Sequence, residues 1–424
     1  MSGETPLQSS LRLGLQAGAD LSQELAKLGD YPIESVEDAT AVCEALREYA
    51  ARSHSTPTAS SPLHPLASLF QDAATEEAFD VFAEQGLSVL REIFDRRVDN
   101  PGDDAEDLLF LLKIFALYKD EEGLRRMQAA VSNNLDPESF VWAVIFESLE
   151  DEHPHQKLVL EALRDPLPQG FAAVTYLDFA NRLALDGELD RHPFDNPRGL
   201  QMLEHWLRSE DTEEYSYAQS ATAALPFITD SARNQLMSLA MEHPDDTVQL
   251  EAAWASAKLG SEGGVRSLAR YCLIPTHSIQ ACAYLDELDK GDLIPEEARE
   301  PDFQAMSEMC AWLADPQEYG DAPDLIELFD SREAYWPPTD DVRPLWLFKY
   351  TYEGGEGEDD EVGVGMVGSI TFALFGESHA DLSAEDVYAL HCCWELEVND
   401  DPRAPQQRSI AEGRQILTEF WPNT

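Results

Sequence analysis

The sequence predicts a mainly α-helical protein: an α-solenoid of helical pairs followed by a small C-terminal α+β unit. Three observations predict it. Between Ala67 and Asp330, apolar residues recur at helical spacing in segments of roughly 10 to 15 residues, separated by short turns rich in Pro, Asp, Gly and Asn. No alternating strand pattern competes there. After Pro337-Pro338 the texture changes, and Trp, Phe, Tyr, Val, Ile and Leu concentrate between Gly, Asp and Ser clusters, which is a strand signal. With 424 residues, 43% of them apolar and 26% charged, the chain has the composition of a globular protein with room for more than one unit.

The first 53 residues read as a helical pair. Leu11, Leu15, Leu21 and Leu25 keep near-helical spacing, and Ser35 with Asp38 three positions on resembles a capping box opening a helix from Val36 to Arg52. Residues 54–66 contain three prolines and lack apolar periodicity, which predicts a linker.

Residues 67–335 form the expected array. Its helices come in pairs: Glu106–Tyr118 with Glu121–Ser132, Pro137–Glu150 with His155–Arg164, and Phe171–Asp186 with Arg198–Arg208. Three more pairs start near Glu213, Thr247 and Ser278, with second helices from near Asp230, Glu262 and Pro295. In the first helices of these last pairs Tyr217, Val248 and Ile279 lie 31 residues apart, as do Ala221, Ala252 and Ala283. A small residue at one position lets neighbouring helices approach, while a bulky one a turn earlier fills the seam, so these six are the expected repeat-packing residues. A single pair cannot bury its apolar stripe, and stacking supplies the cover.

At these residues the chain resembles the HEAT-repeat family, best over residues 213–290. The stretch Asp246-Thr247-Val248-Gln249-Leu250-Glu251-Ala252-Ala253, continuing to Lys258-Leu259-Gly260, is similar to the family's Asp, Val, Arg, paired Ala and Leu-Gly pattern, with Gln249 where the family usually carries Arg. The resemblance implies stacked helical pairs whose second helices line an inner face that receives a protein partner.

Residues 336–424 are read as a C-terminal α+β domain or cap against the last helix pair. Strands are expected at Leu345–Tyr352, Gly368–Phe375 and Leu390–Val398, with a helix start at Ser383-Ala384-Glu385-Asp386 and a closing helix at Ile410–Phe420.

Charge excludes whole function classes. Asp and Glu number 82 against 29 Lys and Arg, a net charge of −53 spread along the chain, so bulk attraction to nucleic acid is excluded. Such a surface serves solubility in a salt-rich habitat, or it forms an acidic groove for a basic peptide or a cation. Met1–Ser10 lacks a basic and apolar leader pattern, and the most apolar stretch, Leu108–Tyr118, is interrupted by Lys113 and falls far short of the ~20 residues that span a bilayer. A cytoplasmic protein without membrane insertion is expected. Cys43, Cys272, Cys282, Cys310, Cys392 and Cys393 lack paired spacing and read as core thiols.

Candidate chemistry is thin. Gly363-Val364-Gly365-Met366-Val367-Gly368 satisfies G-x-G-x-x-G, but acidic and glycine residues precede it and a β-like run follows, so it reads as a glycine-rich strand with close backbone approach. The acidic run containing Glu356, Glu358, Asp359 and Asp360 lacks the ordered spacing of a calcium loop and reads as a hairpin connection, while remaining a candidate interaction segment. His391-Cys392-Cys393, placed on a strand, would point adjacent thiols to opposite faces, which favours core packing over a metal or thiol site. His153 and His155 flank Pro154 in a turn and read as solvated loop residues. Trp336, beside two prolines at a boundary, is a candidate peptide anchor or a wedge between units. No H-E-x-x-H, G-x-S-x-G or Walker A string occurs.

These readings predict no catalytic, cofactor-binding or metal-ligating residue. They predict a non-enzymatic interaction scaffold with a strongly acidic surface, whose partner is a protein carrying a basic segment. Some HEAT-like proteins resemble bilin lyases, which implies an alternative: a small-molecule or chromophore-handling enzyme or accessory. HEAT-like DNA glycosylases need a basic channel, and this chain offers the opposite.

Overall fold

The structure, a computed structural model, describes residues 4–16, 19–51, 62–150, 152–354, 359–375, 379 and 381–421. Among them the chain is mainly helical, with one four-stranded antiparallel sheet. It divides into two compact units, Met1–Leu236 and Met237–Thr424.

In the first unit, helix α1 (Pro6–Gly14) opens on a capping box between Thr5 and Gln8, with Pro6 in the first turn where its missing N–H costs nothing. Helix α2 (Val36–Ala51) starts where the Ser35 hydroxyl accepts the Asp38 N–H at 3.1 Å. The expected linker is corrected in part. Residues 54–61 lie outside the described residues, but Leu63–Ser68 is a helix with Leu63 and Leu66 fully buried, because two leucines three positions apart supply an apolar stripe despite the prolines. Nor is the N-terminal stretch a lone pair: a third, short helix, Leu21–Ala26, lies between α1 and α2 in the chain. Ile33 bridges Ala73, donating to the Asp72 carbonyl and accepting from the Ala74 N–H, which ties the first helices to the chain that follows.

Further on, helices α3 (Ala105–Leu117), α4 (Val141–Glu147), α5 (Gly170–Leu185) and α6 (Tyr215–Ala224) touch in succession. Aromatic rings fill their seams, with Phe146 of α4 at 6.0 Å from Tyr176 and 5.3 Å from Phe179, both on α5. A buried amide also links neighbours, since Asn181 Nδ2 donates to the Ser220 carbonyl at 2.9 Å.

The second unit holds helices α7 (Asp246–Lys258), α8 (Glu262–Tyr271), α9 (Pro275–Glu287) and α10 (Pro301–Leu313). Gly264 lets α7 and α8 nearly touch: a Cβ there would meet the Ala257 nitrogen at 2.5 Å. Between α7 and α9, Tyr284 donates to Glu251, and Glu287 accepts from Trp254 Nε1 at 3.1 Å and Lys258 at 2.7 Å.

Strands β1 (Leu325–Trp336), β2 (Asp341–Tyr352), β3 (Glu361–Val367) and β4 (Phe372–Phe375) form a sheet in that order. Its residues alternate between two cores, as strand pleating requires. One face sets Phe348, Tyr350 and Val367 against Ala305, Met309 and Leu313 of α10. The other sets Leu345, Leu347, Val364 and Met366 against helices α11 (Ala384–Val398) and α12 (Ile410–Thr418).

Three expectations are corrected here. Leu325–Asp330 is strand rather than the end of the helical series, because it pairs with β2 from Leu325↔Thr351 onward, and tertiary pairing overrides local propensity. Leu390–Val398 is helix rather than strand: Ser383 caps α11, its side chain accepting the Asp386 N–H, and burial of Val387, Tyr388, His391, Cys392, Glu395 and Leu396 follows the helical period. Within Gly368–Phe375 only Phe372–Phe375 is strand, while Gly363–Val367 of the glycine-rich string before it belongs to β3.

Candidate functional site

Concave surface with chemically distinct walls is found between α1 and α2. Thr5, which caps α1, donates its hydroxyl to Asp38 of α2, and the Tyr31 hydroxyl donates to the other Asp38 oxygen at 3.1 Å. Asp38 is only 4% exposed, so its hydrogen bond from Thr5 ties the two helices together away from solvent. The groove between them measures about 910 Å³. Leu11 and Leu15 of one wall and Ala45 of the other form its apolar floor. Glu37, Glu44 and Glu48, at i, i+7 and i+11 on α2, form an exposed acidic edge. Opposite stands Arg12, paired with Glu4 at 3.0 Å. An apolar trough bordered by carboxylates suits an amphipathic segment with cationic flanks.

The sequence-predicted residues fall elsewhere. Trp336 is corrected as a peptide anchor: it is fully buried, and its indole N–H donates to Glu395 Oε2 at 2.7 Å, so it presents no surface to a partner. Glu356 and Glu358 lie outside the described residues. Asp359 and Asp360 are exposed, and Asp360 Oδ1 accepts the Gly354 N–H at 3.1 Å within the β2–β3 connection.

Of the repeat-packing residues, Ala221, Val248 and Ala252 are buried and Tyr217 is half-buried, its ring edge-on to Trp206 at 6.3 Å. Ile279 and Ala283 are corrected. Both are exposed, Ile279 by 51%, because α9 buries the stripe Ser278, Ala281 and Leu285 instead. Helix α7 is covered nearly all round, whereas α9 is covered along one stripe, so equal spacing in sequence does not give equal burial.

The glycine string is part of the sheet core. A Cβ on Gly363 would meet the Tyr350 ring at 2.3 Å, and one on Gly365 would meet Met309 Sδ at 2.5 Å. Close approach to neighbouring side chains, not to a phosphate, explains them. His391, Cys392 and Cys393 are buried on α11, where burial pushes the Cys393 thiol up and away from nucleophilic character. Among the described residues neither His391 ring nitrogen has a hydrogen-bond partner, and its imidazole is lowered to about 3 by desolvation. Among the described residues no group of three or more His, Cys, Asp or Glu could hold a metal ion. No helix among them is long and apolar enough to cross a membrane.

Sequence reasoning read Leu11 and Leu15 as one face of a helix, not as the floor of a groove, and missed the acidic edge. The i, i+7, i+11 carboxylates were the available signal. Comparison of the chain with protein-family models, with curated proteins and with solved structures finds no match.

Proposed function

We propose that the chain is a non-enzymatic interaction scaffold built of HEAT-type helical pairs, and that the α1–α2 groove receives an amphipathic, basic segment of a partner protein. One observation carries the reading: Val36, 45% exposed, and the nearly buried floor of Leu11, Leu15 and Ala45 lie beside three carboxylates on a single helix edge. The apolar side of a partner helix would be desolvated against the floor, and its Lys or Arg flanks would meet Glu37, Glu44 and Glu48. The net charge of −53 adds a long-range field that speeds encounter with cations and weakens as salt rises.

Fluorescence anisotropy of a labelled Lys/Leu amphipathic peptide tests this. Affinity should fall at least tenfold between low salt and roughly 1 M salt, where the Debye length is about 3 Å. The triple variant Glu37→Gln, Glu44→Gln, Glu48→Gln should weaken binding and flatten the salt dependence. Salt-independent affinity, or an unaffected triple variant, would remove the groove from consideration.

A further inference from the structure

Among the described residues the arginines are almost all occupied. Arg91 pairs with Asp120 at 2.7 Å, Arg126 with Asp95 at 2.6 Å and Arg403 with Asp401 at 2.7 Å. Arg198, Arg233 and Arg299 instead donate to main-chain carbonyls. With 82 acids to 29 bases this is the expected outcome, since any guanidinium has carboxylates in reach. Arg266 and Arg270 depart from it. Both are exposed and stand one turn apart on α8, and among the described residues neither pairs with a carboxylate; Arg270 Nη2 donates only to Ser267 Oγ, at 2.9 Å.

These two side chains border a cleft of about 1110 Å³ between α7 and α8. The cleft has room because its walls carry Ala253, Ser256, Gly263 and Ala269 where larger residues would fill it. Met241 and Ile274 give it an apolar end, and they remain 45% and 39% exposed. Asp246 shares the cleft without forming an ion pair with either guanidinium.

We propose that this cleft is a binding site for a small organic phosphate monoester. Two guanidinium forks on adjacent turns offer several N–H donors to one dianionic head, with the Ser267 hydroxyl beside them, and a single phosphate has enough acceptor oxygens for both. Met241 and Ile274 would cover the organic body. Compactness is required by the charge: an extended polyanion would lie against a surface of net charge −53, whereas a small dianion meets the arginine pair at short range. This site is independent of the α1–α2 groove.

Isothermal titration calorimetry of the full chain with phenyl phosphate tests it. One site per chain is expected, with inorganic phosphate weaker for want of the apolar body and phenol not binding for want of the head. The double variant Arg266→Ala, Arg270→Ala should lose at least tenfold in affinity, and Arg266→Lys, Arg270→Lys should lose less, since lysine keeps the charge but not the fork. Both arginines are exposed, so unchanged circular-dichroism melting should accompany the loss. The triple glutamine variant of α2 should bind phenyl phosphate like wild type. Absence of phenyl phosphate binding, or binding undiminished in the double alanine variant, overturns the site. Equal affinity for inorganic and phenyl phosphate overturns the apolar half of the assignment.

Discussion

Two buried histidines, one in each unit, occupy opposite physical situations. His192 is 2% exposed and fully engaged: Nε2 lies 3.2 Å from Asn181 Oδ1, and Nδ1 accepts the Phe194 N–H at 3.3 Å. His391 is 1% exposed and among the described residues has neither nitrogen paired, the edge-on ring of Phe372 lying at 5.1 Å. Near it Glu395 also keeps one oxygen unpaired while the other takes the Trp336 N–H. Burial alone therefore says little about what a polar residue contributes. A paired imidazole specifies its surroundings, whereas an unpaired one carries a desolvation penalty that nothing nearby offsets.

The comparison breaks most visibly at His192. His192→Leu should lower the unfolding free energy by about 3 kcal/mol, because it strands the Asn181 oxygen and the Phe194 N–H inside the protein. Urea denaturation followed by circular dichroism measures this, and a loss below about 1 kcal/mol would show that the two hydrogen bonds are not holding the site.

Next in size is the response to acid. Desolvation lowers His192 to about 4 and His391 to about 3, both below the unfolded imidazole. A lowered imidazole means that the unfolded chain binds the proton first, so stability is complete above roughly pH 6.5 and is lost as pH falls toward the folded values. Between about pH 6.5 and 5 each histidine should cost about 2 kcal/mol. Surface carboxylates begin to protonate over the same range, so the effect is read as the difference between wild type and each His→Leu variant at the two pH values. The variant curves should be flatter.

How much of this was legible beforehand depends on the range of the cause. Helices from 105 to 313 are carried largely by apolar spacing local to each segment, so their existence was readable. In α11, Trp394 and Val398 of Leu390–Val398 imitate a strand, and the cap at Ser383 together with packing of Val387, Cys392 and Leu396 on the sheet decides for helix. The same holds for the candidate groove. Leu11 and Leu15 advertise one wall locally, but α2 stands beside them through the Thr5–Asp38 hydrogen bond, 33 residues apart in sequence, which no window of local pattern contains. The phosphate site was hidden differently: Arg266 and Arg270 are conspicuous only once most other arginines are seen to be paired.

A smaller effect with reversed sign sharpens the comparison. His391→Leu replaces an unpaired imidazole by an apolar side chain in a core of Phe372 and α11 neighbours, and should raise stability by about 1 kcal/mol at neutral pH. The same substitution thus destabilises one unit and stabilises the other. If His391→Leu is as damaging as His192→Leu, the imidazole is engaged in a way its unpaired nitrogens do not explain.

The smallest predicted change tests the repeat itself. Val248 and Ile279 stand 31 positions apart, yet Val248 is fully buried and Ile279 is 51% exposed. Ile279→Ser should therefore change unfolding free energy by less than about 0.5 kcal/mol, as surface substitutions do. Val248→Ser in the same assay is the positive control, because it strands a hydroxyl inside α7 and opens a void. A large loss at Ile279 would mean that the apolar residue is covered after all, by a stacked copy or a partner, and that the periodicity in the sequence reports a contact made outside the single chain.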